Sequence, residues 1–121
     1  NAPVITTGAG TVTVTNAGLL DIAGAADMSL DGAFLQDGGG VVQTAGDITT
    51  TNDAITFTGG VTLTGGGTVS LSTGGAGVGT ITFSSTLDGG TDFTENLSLT
   101  AATGRPCSTI SPSCRRRASP G

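Results

Sequence analysis

Short apolar–polar–apolar triplets, separated by glycine-rich segments, constrain the fold of this chain more than any other feature. The outer positions carry Val, Ile, Leu, Met or Phe, and the middle position carries Thr, Ser or Asp. This period of two is the pattern of a β-strand with one apolar face, and no segment keeps helical spacing over three turns. The sequence therefore predicts an all-β protein. The triplets begin at Val12, Leu20, Met28, Ile55, Val61, Val69, Ile81 and Leu97.

Two of these triplets are identical and lie one regular period apart. Ile55-Thr56-Phe57 recurs further along the chain as Ile81-Thr82-Phe83. Three strands in a period of about 26 residues match one coil of a three-sided solenoid. The spacing predicts a right-handed parallel β-helix of about four coils, in which Phe57 and Phe83 stack inside on neighbouring coils.

The other strands of the coil repeat at similar distances. Leu63 and Leu87, at a slightly shorter spacing, are expected to head matching second strands. Leu71 and Leu99, at a slightly longer spacing, are expected to occupy third strands. The first half is less regular, and strands near Val41 and Asp47 fit a second coil only with shifted spacing.

An antiparallel β-sandwich is the alternative, because short strands at regular spacing also suit that fold. The repeated triplet favours the solenoid, as do four Phe with no Trp or Tyr and 22 Gly. Glycine pairs and triplets between the strands are expected to supply positive φ at the corners. They are Gly59-Gly60, Gly65-Gly66-Gly67, Gly74-Gly75 and Gly89-Gly90.

Charge divides the chain into an acidic body, residues 1–104, and a basic tail, residues 105–121. The body holds all nine acidic residues and no Lys, Arg or His, whereas all four Arg lie in the tail. Binding of nucleic acid through phosphates requires Lys and Arg, so the body is not expected to bind nucleic acid, nor anionic lipid. No run approaches the roughly 18 apolar residues of a membrane span.

The tail differs from the body in its amino-acid composition. Pro106, Pro112 and Pro120 make a central strand improbable, so we expect irregular structure. Cys107 and Cys114 could close a small disulfide loop in an oxidising compartment. The tail is interpreted as a truncated or frame-shifted end, with a natural linker and a functional basic segment, Arg115-Arg116-Arg117, as alternatives.

Carboxylates are the first candidates for chemistry. The pairs Asp31-Gly32, Asp37-Gly38 and Asp88-Gly89 are predicted at turns, where Asp oxygens could bind Ca²⁺ but ordinarily accept local backbone N–H groups. Asp27 with Asp31, or Asp88 with Asp92, could form the carboxylate pair of a glycosidase or lyase. The body offers no Lys, Arg, His or Tyr to assist them. The sequence therefore assigns no catalytic, cofactor or metal residue, and no enzyme activity.

Threonine arrays are the second candidate. Thr11, Thr13 and Thr15 are predicted on one exposed face, and the pairs Thr56/Thr58 and Thr80/Thr82 on later coils. Such arrays can order water on ice-binding solenoids, although Thr is also the usual outward residue of a strand. Asn96-Leu97-Ser98 matches a glycosylation sequon.

Longer stretches of the body carry a family resemblance. The runs ITFTGGVTLTG and GTITFSSTLDG, followed by ENLSLTAATG, lie within the stretch from residue 8 to residue 104. This stretch resembles the repeats of filamentous-haemagglutinin-like and autotransporter-adhesin-like surface proteins of bacteria. The resemblance implies a secreted or outer-membrane-associated β-helical stalk that supports adhesion.

The sequence thus favours a structural and adhesive segment at the cell surface, without cofactors, whose partners are surface or glycan ligands. One alternative is a self-assembling extracellular filament subunit, because the ends of a short solenoid expose unpaired backbone groups and can pair end to end. An ice-binding or carbohydrate-binding solenoid is the other.

Overall fold

The computed structural model describes residues 2–74, 79–91 and 94–101, and every regular element in these ranges is a β-strand. In chain order the strands are β1 (Val4–Ile5), β2 (Val12–Thr15), β3 (Leu20–Ile22), β4 (Met28–Leu30), β5 (Phe34–Asp37), β6 (Val42–Thr44), β7 (Ile48–Thr50), β8 (Ile55–Phe57), β9 (Val61–Leu63), β10 (Thr68–Ser72), β11 (Ile81–Phe83), β12 (Leu87–Gly89) and β13 (Asn96–Thr100).

The strands form three parallel sheets that the chain visits in turn. The first sheet has the order β1-β4-β7-β10-β13, the second β11-β8-β5-β2 and the third β12-β9-β6-β3. Each strand therefore pairs with the strands one coil before and one coil after it. The predicted β-solenoid of about four coils is confirmed, and the antiparallel sandwich is wrong. No helix in the described ranges could cross a membrane.

The predicted period is correct in the last coils, with one error of register. Ile55 faces Ile81, Phe57 faces Phe83 and Leu71 faces Leu99. Leu87 faces Val61 rather than Leu63, which faces Gly89. The pairing of Leu63 with Leu87 is wrong because the offset between these two coils continues unchanged from the second sheet into the third.

The earlier coils are shorter, which explains the shifted spacing there. Met28 faces Ile48 and Phe34 faces Ile55, and each step along the chain is shorter than the step from Ile55 to Ile81. The difference lies in the corners, since the strands themselves remain three to five residues long from β3 onward. β1 and β5 were not predicted.

The core is a single cluster of side chains enclosed by the three sheets. Its buried residues alternate with outward-facing polar residues along most strands, although Leu35 faces outward in β5. Phe57 and Phe83 stack at its centre, with ring centroids 5.5 Å apart and an interplanar angle of 7°. Phe34 packs against Phe57 with ring centroids 5.4 Å apart and the two rings tilted by 52°. The predicted stacking of Phe57 on Phe83 is confirmed, whereas Phe34 contacts Phe57 from the neighbouring inward column, one coil below.

Glycine is needed at the corners for two different reasons. Gly65, Gly66 and Gly74 have positive φ, as expected. Gly59 does not; it is required because a Cβ at this position would overlap the carbonyl oxygen of Gly40, one coil below. Close approach of stacked backbones, rather than backbone conformation, excludes side chains at Gly59.

We expect Phe57→Ala to lower the free energy of unfolding by about 3–5 kcal/mol, because its ring is fully buried between two others. Phe83→Ala should cost less, about 1–3 kcal/mol, since Phe83 is only partly buried at the upper end of the core. Urea denaturation measures both, with the outward-facing Thr82→Ala as the control. Equal losses for Phe57 and Phe83 would contradict an open upper end.

Gly59→Ala should destabilise the fold by more than about 2 kcal/mol, because the two coils must separate locally to admit the methyl group. Gly39→Ala is the matched control, since a Cβ there meets nothing within 4 Å. Thermal unfolding of both variants compares them directly. A Gly59→Ala protein as stable as Gly39→Ala would show that the corners are not closely stacked.

Candidate functional site

A buried amide lies at the corner between the second and third sheets. Gln36 is fully buried in β5, in the inward column between Val14 and Phe57. Its Oε1 accepts hydrogen bonds from the backbone N–H groups of Thr58, at 3.0 Å, and Gly59, at 2.9 Å. Gln36 Oε1 is thus the acceptor for the buried N–H of Gly59, whereas the N–H of Thr58 also reaches the backbone carbonyl of Gln36 at 3.2 Å.

The same amide also bonds to the coil below. Its Nε2 donates to Oδ1 of Asn16 at 2.6 Å, and Nδ2 of Asn16 donates to the carbonyl of Gly18 at 2.6 Å. From above, the Thr58 hydroxyl donates to the carbonyls of Gln36, at 3.0 Å, and Gly38, at 3.2 Å. Asn16, Gln36 and Thr58 therefore form a polar corner column that connects three coils.

Buried threonines stabilise other corners by local hydrogen bonds within one coil. The Thr44 hydroxyl donates to the carbonyl of Gly46 at 2.9 Å, that of Thr50 to the carbonyl of Asp53, and that of Thr73 to the carbonyl of Gly79 at 3.1 Å. Within the described ranges, no buried side-chain nitrogen or oxygen lacks a partner. These inward-facing polar groups stabilise the corners.

Three of the acidic residues accept hydrogen bonds from the backbone of an adjacent coil. Oδ1 of Asp27 accepts from the N–H of Asp47 at 2.9 Å, and Oδ1 of Asp47 accepts from the N–H of Ser70 at 2.8 Å. Oδ2 of Asp31 accepts from the N–H of Ala9 at 2.8 Å. Asp27 and Asp31 thus make separate backbone contacts and are not joined by a hydrogen bond.

The remaining carboxylates lie elsewhere on the solenoid. Asp37 is the last residue of β5 and Gly38 begins the corner that follows, whereas Asp88 and Gly89 both lie in β12, so the prediction of a turn is wrong for Asp88-Gly89. Asp92 lies outside the described residues. The N–H of Thr91 donates to Oε2 of Glu95 at 2.9 Å and holds the pKa of Glu95 below its ordinary value. In the part of the chain that is described, no three acidic, His or Cys residues come together as a metal site.

The outer face of the first sheet presents two columns of short polar side chains. One outward column contains Ser29, Thr49, Ser72 and Thr100, which are in register from β4 to β13. The adjacent outward column contains Asp27, Asp47, Ser70 and Ser98. We call these eight residues the hydroxyl face. They present short hydroxyl and carboxylate side chains at a vertical spacing of about 4.8 Å.

The threonine array of the second sheet is less regular. Thr11, Thr13 and Thr15 are exposed as expected, and so are Thr80 and Thr82. The column through Thr13 continues as Leu35, Thr56 and Thr82, so an apolar residue interrupts it at the second coil. The Thr58 hydroxyl is occupied by the polar corner column.

The two remaining candidates from the sequence are the sequon and the tail. Asn96, from the sequon, is exposed at the start of β13 and donates its backbone N–H to the carbonyl of Gly67 at 2.9 Å. Cys107, Cys114 and the arginines of the tail lie outside the described residues. The hydroxyl face and the polar corner column were not predicted, because both depend on the register between coils.

Comparison with protein-family models, curated proteins and solved structures finds no match for this chain. The resemblance to filamentous-haemagglutinin-like and autotransporter-adhesin-like repeats therefore stays a prediction.

Gln36→Leu should lower the free energy of unfolding by about 1–3 kcal/mol, because the buried N–H of Gly59 loses its acceptor. Gln43→Leu, on the outward side of β6, is the control and should change stability little. Chemical denaturation gives the stabilities, and hydrogen exchange at the Gly59 amide gives the local effect. Unchanged exchange at Gly59 in Gln36→Leu would contradict the assigned bond.

Proposed function

We propose that this chain is a structural and adhesive segment of a secreted or cell-surface protein. The coil stack acts as a rigid support, and the hydroxyl face acts as the surface that contacts a ligand. The observation that carries the proposal is the in-register column Ser29–Thr49–Ser72–Thr100 on the first sheet. From β4 to β13 no apolar or bulky side chain interrupts it, and Ile5 lies in this column only below Ser29.

Stacking of the coils supports the role of a rigid support. From the second coil onward each strand pairs in parallel with a strand of the coil below, and the polar corner column joins three coils at one corner. Neighbouring coils cannot tilt apart without breaking backbone pairs in all three sheets. Such a stack holds its outward side chains at fixed positions.

The chemistry of the hydroxyl face favours neutral, hydroxyl-rich ligands. Its serine and threonine hydroxyls both donate and accept hydrogen bonds. The two aspartates use one oxygen each on the backbone of the next coil and keep further acceptor capacity for ligand hydroxyls. Anionic surfaces are disfavoured, because residues 1–104 contain nine acidic residues and no Lys or Arg. A neutral glycan is therefore the preferred ligand class.

Affinity per chain is expected to be low. The hydroxyl face contains no aromatic residue on which a sugar ring could stack, and exposed hydrogen bonds replace bonds to water with little net gain. Binding through such a face becomes strong only when many copies act together, since linked sites raise the effective concentration. Adhesion of densely coated surfaces is thus the appropriate measurement.

We expect beads coated with the full chain to resist detachment by flow from a dextran surface, and to bind dextran sulfate less. The double variant Ser29→Ala/Thr49→Ala removes two adjacent hydroxyls and should lower the detachment force. Thr56→Ala/Thr82→Ala, a pair of stacked threonines on the second sheet, is the matched control. Equal loss in both variants, or no adhesion of the unmodified chain to dextran, would overturn the assignment of the hydroxyl face.

A further inference from the structure

Both ends of the solenoid leave part of the core uncovered by any described residue. At the lower end the side chains of Val12, Val14 and Leu20 are only partly buried. At the upper end Ile81 and Phe83 are partly buried and Leu87 is exposed. Edge strands with free backbone groups at such an end are templates for pairing with another strand.

The two ends match each other column by column. Val12 and Ile81 belong to one inward column of the second sheet, and Val14 and Phe83 to the next. A second copy placed on top, with its β2 on β11, would set Val12 over Ile81 and Val14 over Phe83. In the third sheet Leu20 would lie over Leu87 in the same way. The junction would repeat the interface that already joins coils within the chain.

The number of strands in each sheet limits how the first sheets of two stacked copies can be joined. That sheet has five strands and the other two have four each. When β2 and β3 of the upper copy pair with β11 and β12 of the lower copy, β1 of the upper copy and β13 of the lower copy fall at the same place, below β4 of the upper copy. Only one of these two strands can occupy it.

The two strands that compete for this position, β1 and β13, differ in length and in how they can pair with β4. β1 has two residues, both exposed, and pairs with β4 over Val4 and Ile5 only. β13 has five residues, and its Leu99 lies in the same inward column as Val4, through Leu71, Ile48 and Met28. β13 can therefore replace β1 without a change of register and can pair with the whole of β4.

We propose that copies of this chain associate head to tail by strand exchange, with β13 of one copy displacing β1 of the next. The partner is a second copy, and the junction is a continuous parallel solenoid. This inference does not rest on the hydroxyl face or on its glycan ligand. It makes the assembly polar, because each copy offers β13 at one end and accepts it at the other.

One contact opposes this association. Asp21 and Asp88 belong to the same outward column of the third sheet, so the junction sets Asp88 of the lower copy directly beneath Asp21 of the upper copy. Like charges in opposed positions destabilise strand pairing. Association should therefore strengthen with ionic strength, which screens exposed charges.

Disulfide trapping tests the exchange directly. In the full chain carrying Cys107→Ser and Cys114→Ser, the double variant Ser29→Cys/Thr100→Cys places the thiols three strands apart within one copy, about 14 Å, too far for a disulfide. After exchange, Thr100 of one copy faces Ser29 of the next. Oxidation should give a ladder of covalent multimers on a non-reducing gel.

Thr49→Cys/Thr100→Cys is the matched control for trapping. Thr49 is exposed in the same column as Ser29 but is two strands from Thr100 within the chain and two strands from the incoming Thr100 after exchange. It should give no ladder. Absence of a ladder from the Ser29 pair, or equal ladders from both pairs, would overturn the proposal.

A second measurement uses two substitutions with opposite expected signs. Val4 and Leu99, 39% and 50% exposed, face inward in the same column. Leu99→Asn should weaken association by about tenfold, because Leu99 becomes buried at the junction, whereas Val4→Asn should strengthen it, because β1 must leave. Sedimentation velocity over a concentration series measures both. Weakening by Val4→Asn would overturn displacement of β1.

Charge provides an independent comparison in the same sedimentation series. Asp88→Asn should strengthen association, because it removes the repulsion with Asp21 of the next copy. Asp37→Asn makes the same change of charge on an exposed strand end away from the junction and should have little effect. Equal effects of the two variants would contradict the proposed placement of β12 beneath β3.

Discussion

Everything in this structure depends on parallel pairing between successive coils, because no coil has a core of its own. Each strand contributes only one or two inward residues, and these are buried only when the coils above and below supply matching ones. The stacking of Phe57 on Phe83 depends on this register. So does burial of polar groups: Gln36 is acceptable in the interior because its amide meets backbone groups of the next coil.

Local pattern was sufficient for the fold class and for the later coils. The alternation of apolar and polar residues predicted most strands, and the repeat of Ile55-Thr56-Phe57 at residues 81–83 predicted the register between β8 and β11 in the second sheet. β5 was missed because Gln36, a polar residue, occupies an inward position and breaks the alternation. The wrong pairing of Leu63 with Leu87 had another cause, since both are apolar strand residues and only the corner length distinguishes the two registers.

The candidate sites were harder to predict from the sequence, because each is formed by residues aligned across several coils rather than by one continuous stretch of the chain. Nothing in the local sequence around Ser29, Thr49 or Thr100 indicates that they belong to one column, since a whole coil or more of sequence separates each from the next. The coil lengths vary, so this alignment could not be counted from one period. Asp27 and Asp47 illustrate the same limit: Asp27 was considered as half of a carboxylate pair and Asp47 was expected in a strand, but the carboxylate of each binds the backbone of the following coil.

The unequal corners have a consequence for how such a chain can change over evolutionary time. The connection from first to second sheet is shortest between β4 and β5, one residue longer between β7 and β8, and longest between β10 and β11, whereas the strands that it joins keep their register. Extra connecting residues have thus been accommodated at this corner without changing the strand pairing on either side. A corner of this kind is a place where new sequence can be inserted and selected, while the coil stack beneath it is inherited unchanged.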